Sequence, residues 1–168
     1  MKIQNSNLQI SKVNYFFKNY IEVKGGNPLE GHLKISGAKN SALVLMAASI
    51  LSKGEINLFN VPQISDVAIM SKLLIAMGIN IESNANQLTI NTKEIIIPPP
   101  DLFFDLYHAL RVSFFCIGPI LARFGKAKIP LPGGCSIGSR PIDEHINSLK
   151  KLGVVFQYRN NYLIARVI

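Results

Sequence analysis

A single cysteine sits in the run L-P-G-G-C-S-I-G-S-R-P-I-D-E, residues 131–144, between a glycine pair and a stretch of small residues. Arg140 follows Cys135 five positions later. Glycine lets backbone approach a ligand closely, and proline stiffens the entry and exit of the loop. A guanidinium near a thiol favours the thiolate, the reactive form, below the ~8.5 pKa of a free thiol. The same residues also fit a surface turn with a small apolar side chain, so Cys135 is a candidate nucleophile or acid whose company must decide.

Three further places supply cations or polar groups. Lys39 and Asn40 follow Ser36-Gly37-Ala38 at the start of an apolar helical stretch, where free N–H groups and the helix dipole favour an anion; a solvated first-turn lysine is the other reading. Arg111 lies inside the apolar sequence Ala109-Leu110-Arg111-Val112-Ser113. Burying it unpaired is costly, so it should meet an anion or a carboxylate, unless it snorkels to a sheet edge. Arg140 has the planar fork that suits phosphate or carboxylate. Asp143 stands at a helix start, as an N-cap or as part of a site. His145, His108 and Cys116 read as packing or surface residues. No zinc spacing, phosphate-binding glycine loop of the known types or Ser-His-Asp pattern occurs, and no metal or cofactor is expected.

The elements that must hold these residues follow from periodicity. Residues 1–20 show no clear element and read as an extension. Ile21–Val23 and His32–Ile35 alternate as strands around a Gly25-Gly26-Asn27-Pro28 turn. Ser41–Leu51 is apolar nearly all round, which predicts a buried helix. A strand at Ile56–Phe59, a helix at about Asp66–Met77 ended by Gly78, and a hairpin around Asn84-Ala85-Asn86 follow. The second half repeats the pattern: a helix at about Phe103–Phe124 ended by Gly125, a strand at Ala127–Leu131, a helix at about Asp143–Leu152 ended by Gly153, and a hairpin around Arg159-Asn160-Asn161. The two Gly-ended helices and their hairpins recur at about 75 residues, whereas Gly54 and Gly125 match at about four fewer. The second copy therefore carries an insertion between strand and helix, and that insertion holds Cys135. Insertions on a repeat scaffold are common seats of function.

Composition narrows the classes. The chain has 168 residues, 48% of them hydrophobic, and a net charge of +8, which suits a packed core and argues against disorder. No apolar run reaches the ~18–20 residues of a membrane span. The first residues lack the ~7–15-residue apolar core of a secretory signal. Two cysteines in unlike settings do not make a disulfide framework, so a cytoplasmic setting is expected. The Lys and Arg residues are spread without a run of five or six and without interleaved aromatics, so the charge fits small phosphorylated ligands as well as nucleic acid and does not decide between them, although no nucleic-acid partner is expected.

The motifs G-H-L-K-I-S-G-A-K-N-S-A (31–42), V-P-Q-I-S-D-V (61–67), G-P-I-L-A-R-F-G (118–125) and L-P-G-G-C-S-I-G-S-R-P-I-D (131–143) together resemble the N-terminal part of the bacterial enolpyruvyl transferases of the UDP-N-acetylglucosamine 1-carboxyvinyltransferase type. The similarity runs from about Ile21 to the last residue. It implies an inside-out α/β barrel of βαβαββ-type units, with about two of six present at 31–97 and 98–168. It implies transfer of the enolpyruvyl group of phosphoenolpyruvate to the 3′-hydroxyl of UDP-N-acetylglucosamine with release of phosphate, a committed step toward peptidoglycan. Cys135 then matches the general acid and the thiol that forms an adduct with phosphoenolpyruvate, the target of fosfomycin. Lys39 and Asn40 match a phosphoenolpyruvate-binding pair. Arg111, Arg140, Pro141, Ile142, Asp143 and Glu144 match positions around the sugar nucleotide. Phe115 stands where the family usually has tryptophan, and Glu144 where it is commonly apolar. Members are more than twice as long. A second polypeptide that carries the remaining units would complement this chain as a partner, and a non-catalytic remnant or UDP-sugar-binding module without turnover is the alternative.

Overall fold

The computed structural model describes residues 10–15, 18–26, 28, 30–97, 104–131 and 141–168. These fall into two compact units, Met1–Ile35 and Ser36–Ile168. The smaller contains a hairpin of strand β1 (Ile10–Tyr15) and strand β2 (Lys18–Val23), antiparallel with Ile10 opposite Val23 and Tyr15 opposite Lys18. Two expectations change here. The N-terminal extension supplies a strand pair, and Ile21–Val23 ends the second of its strands instead of pairing with His32–Ile35. His32–Ile35 forms no ladder, and Leu33 and Ile35 are exposed. Alternation satisfies only one requirement of a strand; the other is a neighbouring edge, which the described residues do not offer it.

The larger unit is a duplication. Its first repeat runs α1 (Lys39–Ala48), a 3-10 turn at Ser49–Leu51, β3 (Glu55–Leu58), α2 (Ser65–Ala76), β4 (Asn80–Asn84) and β5 (Gln87–Asn91). The second runs α3 (Phe104–Ala109), a 3-10 segment at Arg111–Cys116, α4 (Ile117–Phe124), β6 (Lys126–Pro130), α5 (Asp143–Lys151), β7 (Val154–Arg159) and β8 (Tyr162–Val167). Both sheets are antiparallel with the hairpin's second strand in the centre, ordered β3-β5-β4 and β6-β8-β7. In each repeat the helix before the hairpin stops at a glycine with positive φ, +80° at Gly78 and +87° at Gly153, a conformation that strains other residues. The second hairpin turns on Asn160 and Asn161 at φ 47° and 63°, which suits asparagine in a primed turn.

One expected helix is three pieces. The stretch read as continuous from Phe103 breaks at Leu110, which is extended at φ −131° and ψ 105°. Pro119 fits where the last piece starts: deeper in a helix it would remove a hydrogen bond and clash with the carbonyl four residues before it. Starting α4 at Ile117 puts Pro119 in the first turn, where N–H groups have no intrahelical partner anyway. The Ser113 hydroxyl donates to the Tyr107 carbonyl at 2.8 Å and stitches the two earlier pieces together. Arg111 thus opens the 3-10 segment directly after a kink.

The two repeats share one core. Leu43, Met46, Met70 and Leu74 of the first and Ile120, Ile129 and Leu163 of the second are all essentially inaccessible. Burying such side chains is worth about 1.5–3 kcal/mol each. The all-round burial expected of α1 holds on one face only. Ala42, Leu43, Met46 and Ala47 are buried, whereas Val44 and Leu45 are 45% and 52% exposed. The helix packs on α2 and the 3-10 segment on its buried side, and no described element covers the other. Arg123 locks the repeats together. Its Nη1 donates to the carbonyls of Ile50 (3.0 Å) and Ser52 (2.5 Å), its Nη2 to those of Thr92 (2.9 Å) and Lys93 (3.3 Å). The Thr92 hydroxyl donates in the same place, 3.0 Å from the carbonyls of Ser52 and Gly54.

Candidate functional site

The site begins with a backbone fit. A Cβ on Gly37 would collide with the carbonyl oxygen of Asn60, so only glycine lets the chain entering α1 lie against that turn. Two residues later α1 starts, and Asn40 stands in its first turn. Leu110 aims the chain so that Arg111 begins the next segment facing the same region. Pro141 and Ile142 lead into α5, whose first turn is fixed by the hydrogen bond from Ile146 N–H to the Ile142 carbonyl, 3.1 Å. On the entry side of the inserted loop the Leu131 N–H donates to the Asn161 carbonyl at 2.8 Å.

These pieces enclose an open cavity of about 390 Å³. Asn40, Arg111, Pro141 and Ile142 line it together with Val44, Val112, Phe114, Phe115 and His145. Four of the candidate residues from distant parts of the sequence therefore meet. The walls are apolar and aromatic, the polar groups few, and the volume lies within the ~300–1,000 Å³ of small-molecule sites. Among the described residues, neither Arg111 nor Asn40 nor His145 hydrogen-bonds or pairs through its side chain, and no carboxylate lines the cavity. Cations and N–H donors on an apolar wall attract anions more strongly than they would in open water.

The remaining candidates lie elsewhere. Lys39 sits at the first position of α1, but its Nζ is 2.8 Å from Asp66 Oδ2 and it does not line the cavity. Asp143 and Glu144 are the first two residues of α5, both exposed, and Ile142 holds the N-cap position, so the N-cap reading of Asp143 is corrected. Their carboxylates oppose the positive end of the helix dipole. Glu144 lines a neighbouring open cavity of about 360 Å³ with Phe115, His145 and Ser148. Cys135 and Arg140 lie outside the described residues.

Cys116 is of another kind. It is fully buried, and burial pushes its thiol up to about 12, which keeps it protonated and unreactive. Burial also raises the Tyr107 hydroxyl, with Cys116 adding to the shift. His145 is the residue that sequence reasoning passed over. Its ring lies against Phe115 at 5.3 Å and Phe114 at 5.9 Å and lines the cavity. The available signal was its place three residues after Ile142 on the same helix face.

The EPSP synthase family model (3-phosphoshikimate 1-carboxyvinyltransferase) matches residues 23–168. A UDP-N-acetylglucosamine 1-carboxyvinyltransferase from Prochlorococcus marinus is 53% identical over 148 residues, covering 88% of this chain and 35% of that protein. One from a Synechococcus species is 45% identical over 150 residues, covering 89% and 34%. The chain thus spans about a third of the length of these relatives. Among solved structures, the enolpyruvyl transferase NikO from Streptomyces tendae superposes with a TM-score of 0.68 at 20% identity, covering 85% of this chain and 31% of that one. That likeness establishes a shared fold.

Proposed function

This chain belongs to the EPSP synthase family of carboxyvinyl transferases, and we propose that it forms part of a site transferring the enolpyruvyl group of phosphoenolpyruvate to the 3′-hydroxyl of UDP-N-acetylglucosamine. The observation that carries the reading is the cavity of about 390 Å³, which gathers Asn40, Arg111, Pro141 and Ile142. Relatives 53% and 45% identical are named for this activity.

In the reaction a bond forms between the sugar 3′ oxygen and C2 of phosphoenolpyruvate, while the hydroxyl loses its proton. A proton is added to C3 and a proton is later lost from it. The C2–O bond to phosphate breaks, and phosphate leaves. Both substrates are polyanions, so the protein's task is to hold charge and to move protons. Arg111 and Arg140, with Pro141, Ile142, Asp143 and Glu144 beside them, serve the sugar nucleotide. Lys39 and Asn40 serve phosphoenolpyruvate, with Lys39 exchanging Asp66 for a substrate oxyanion. Cys135 is the acid that protonates C3 and the thiol that adds to phosphoenolpyruvate. The carboxylate that accepts the sugar hydroxyl proton comes from outside this sequence, in the portion that the relatives have in addition, whether continuous with it or on a complementing polypeptide. No resident metal or cofactor takes part. The reading sets the protein in the cytoplasm, where peptidoglycan precursors are assembled.

A second reading, a UDP-sugar-binding module without turnover, draws on the same cavity. Its described polar groups are donors suited to binding, and none of its described lining residues is a carboxylate or a thiol. Phosphate release from phosphoenolpyruvate and UDP-N-acetylglucosamine, with the chain alone and with the relatives' remaining two thirds supplied in trans, separates the two. Release only on complementation supports the transferase. Sugar-nucleotide binding with no release in either case supports the module, and no binding in either case contradicts both.

A further inference from the structure

The outer faces of the two sheets carry opposite chemistry. Alternation along β6 and β8 turns Ala127, Ile129, Leu163 and Ala165 into the core, so Lys126, Lys128, Ile164 and Arg166 stand on the other side. The register sets Lys126 directly opposite Arg166, and Arg166 opposite Val155 of β7. Like charges directly across a strand pair destabilise a sheet. Neither Lys126 nor Arg166 has an ion pair or a side-chain hydrogen bond among the described residues. At the matching place in the first repeat Glu55 lies opposite Asn91, and Asn57 ties Glu55, Gln87 and Thr89 together. That face carries no lysine or arginine. Beside the cations of the second sheet is an open cavity of about 440 Å³. The apolar Ile97, Val155 and Ile164 line it with Lys126, Lys128 and Arg166, and no carboxylate lines it among the described residues.

We propose that the outer face of the β6-β8-β7 sheet is a docking surface for an extended acidic segment of a partner protein. Its carboxylates meet Lys126, Lys128 and Arg166, and an adjoining apolar side chain enters the cavity. An anion placed between Lys126 and Arg166 replaces their repulsion with two attractions, so charge complementarity sets the sign of the partner. Spacing sets its form. Alternate residues of a strand lie about 6.6 Å apart, so Lys126 and Lys128 match carboxylates two residues apart on an extended chain. A single-stranded polynucleotide would stack its bases on aromatic side chains. Here the aromatic ring is that of Tyr162, and the Lys128 ammonium already lies over it at 4.2 Å. A second copy of the chain is opposed by the net charge of +8. None of these strand residues lines the cavity of about 390 Å³, so the surface stands apart from the enolpyruvyl-transfer reading.

The test is fluorescence anisotropy of the intact chain with a labelled peptide, Glu-Leu-Glu-Glu-Leu-Glu, and its uncharged counterpart, Gln-Leu-Gln-Gln-Leu-Gln. The acidic peptide is expected to bind and the uncharged one not, with binding weakened several-fold between about 50 and about 300 mM salt. Lys126→Glu sets opposite charges across the strand pair. It should weaken binding at least about fivefold and raise the melting temperature, a combination that damage to the fold cannot produce. Lys151→Glu makes the same change of net charge on the exposed end of α5 and should leave binding within about twofold. Val155→Ser should weaken binding about threefold through the apolar contact alone. No binding of the acidic peptide, or equal weakening by Lys126→Glu and Lys151→Glu, would overturn the inference. So would tighter binding of a uridine hexanucleotide than of the peptide, lost in the same Lys126→Glu variant.

Discussion

The two repeats build one topology, and they differ in what they leave unpaired. In the first, several polar side chains find partners within the repeat, although Asn40 on the cavity wall does not. Lys39 pairs with Asp66, the Gln63 amide donates to the Ala85 carbonyl at 2.8 Å, and Asn57 bridges Glu55, Gln87 and Thr89 across the outer face of the sheet. In the second, Arg111 and His145 stand on a cavity wall with their donors unmatched among the described residues. The connection from strand to helix also differs: residues 59–64 in the first repeat, 131–142 in the second. A duplicated scaffold can keep its core in both copies while the connections between its elements differ in length.

Two arginines twelve residues apart make the same point within one repeat. Arg123 donates to four carbonyls and ties the second repeat to the first, whereas Arg111 donates to none of the described residues. One ties the two repeats together, and the other lines the open cavity.

The sharpest way to break the comparison is through the shared core. Ile90 and Leu163 occupy the central strands of the two sheets and are fully buried. Ile90→Ala and Leu163→Ala should each cost about 2–5 kcal/mol in denaturant unfolding, and each variant should melt in one transition. Two separated transitions would show that the repeats fold independently. Next comes Arg123→Ala, expected to cost about 2–4 kcal/mol because four carbonyls lose a charged donor, against under about 0.5 kcal/mol for Arg111→Ala. Equal losses would erase the distinction between the two arginines.

Cys116 gives a smaller, pH-resolved effect. Its folded pKa lies above its unfolded value, so its contribution is complete below about 8.5 and is lost as pH rises toward about 12. The stability of the unaltered chain should fall over that window by at most about 1.4 kcal/mol per pH unit from this group, and Cys116→Ala should flatten the slope. An identical slope in the variant would show that the thiol does not control the alkaline limb. Smallest is the partly exposed Lys39–Asp66 pair, where Asp66→Asn should cost about 0.2–1 kcal/mol and less at high salt.

Much of this was legible in the sequence, for physical reasons that differ by element. The hairpins and the helices ending at Gly78 and Gly153 follow from local turn chemistry and periodicity, and these held. Apolar content alone misread α1, because hydrophobicity records what a face prefers and not whether a neighbour covers it; hence Val44 and Leu45 remain exposed. Pro119 accounts for where α4 starts and not for the break at Leu110 nine residues earlier, which carries no comparable mark in the sequence. Asn40, Arg111 and Ile142 converge through tertiary packing, which no spacing encodes, and the same packing brings His145 to the cavity wall.

The most direct test of the central claim is fosfomycin labelling of the intact chain, read by mass and peptide mapping, with and without UDP-N-acetylglucosamine. The account predicts one adduct on Cys135, faster with the sugar nucleotide present, and none on Cys116, whose buried thiol stays protonated. Labelling of Cys116, or no labelling of Cys135 under either condition, would contradict the division between a structural and a chemical cysteine on which the functional reading depends.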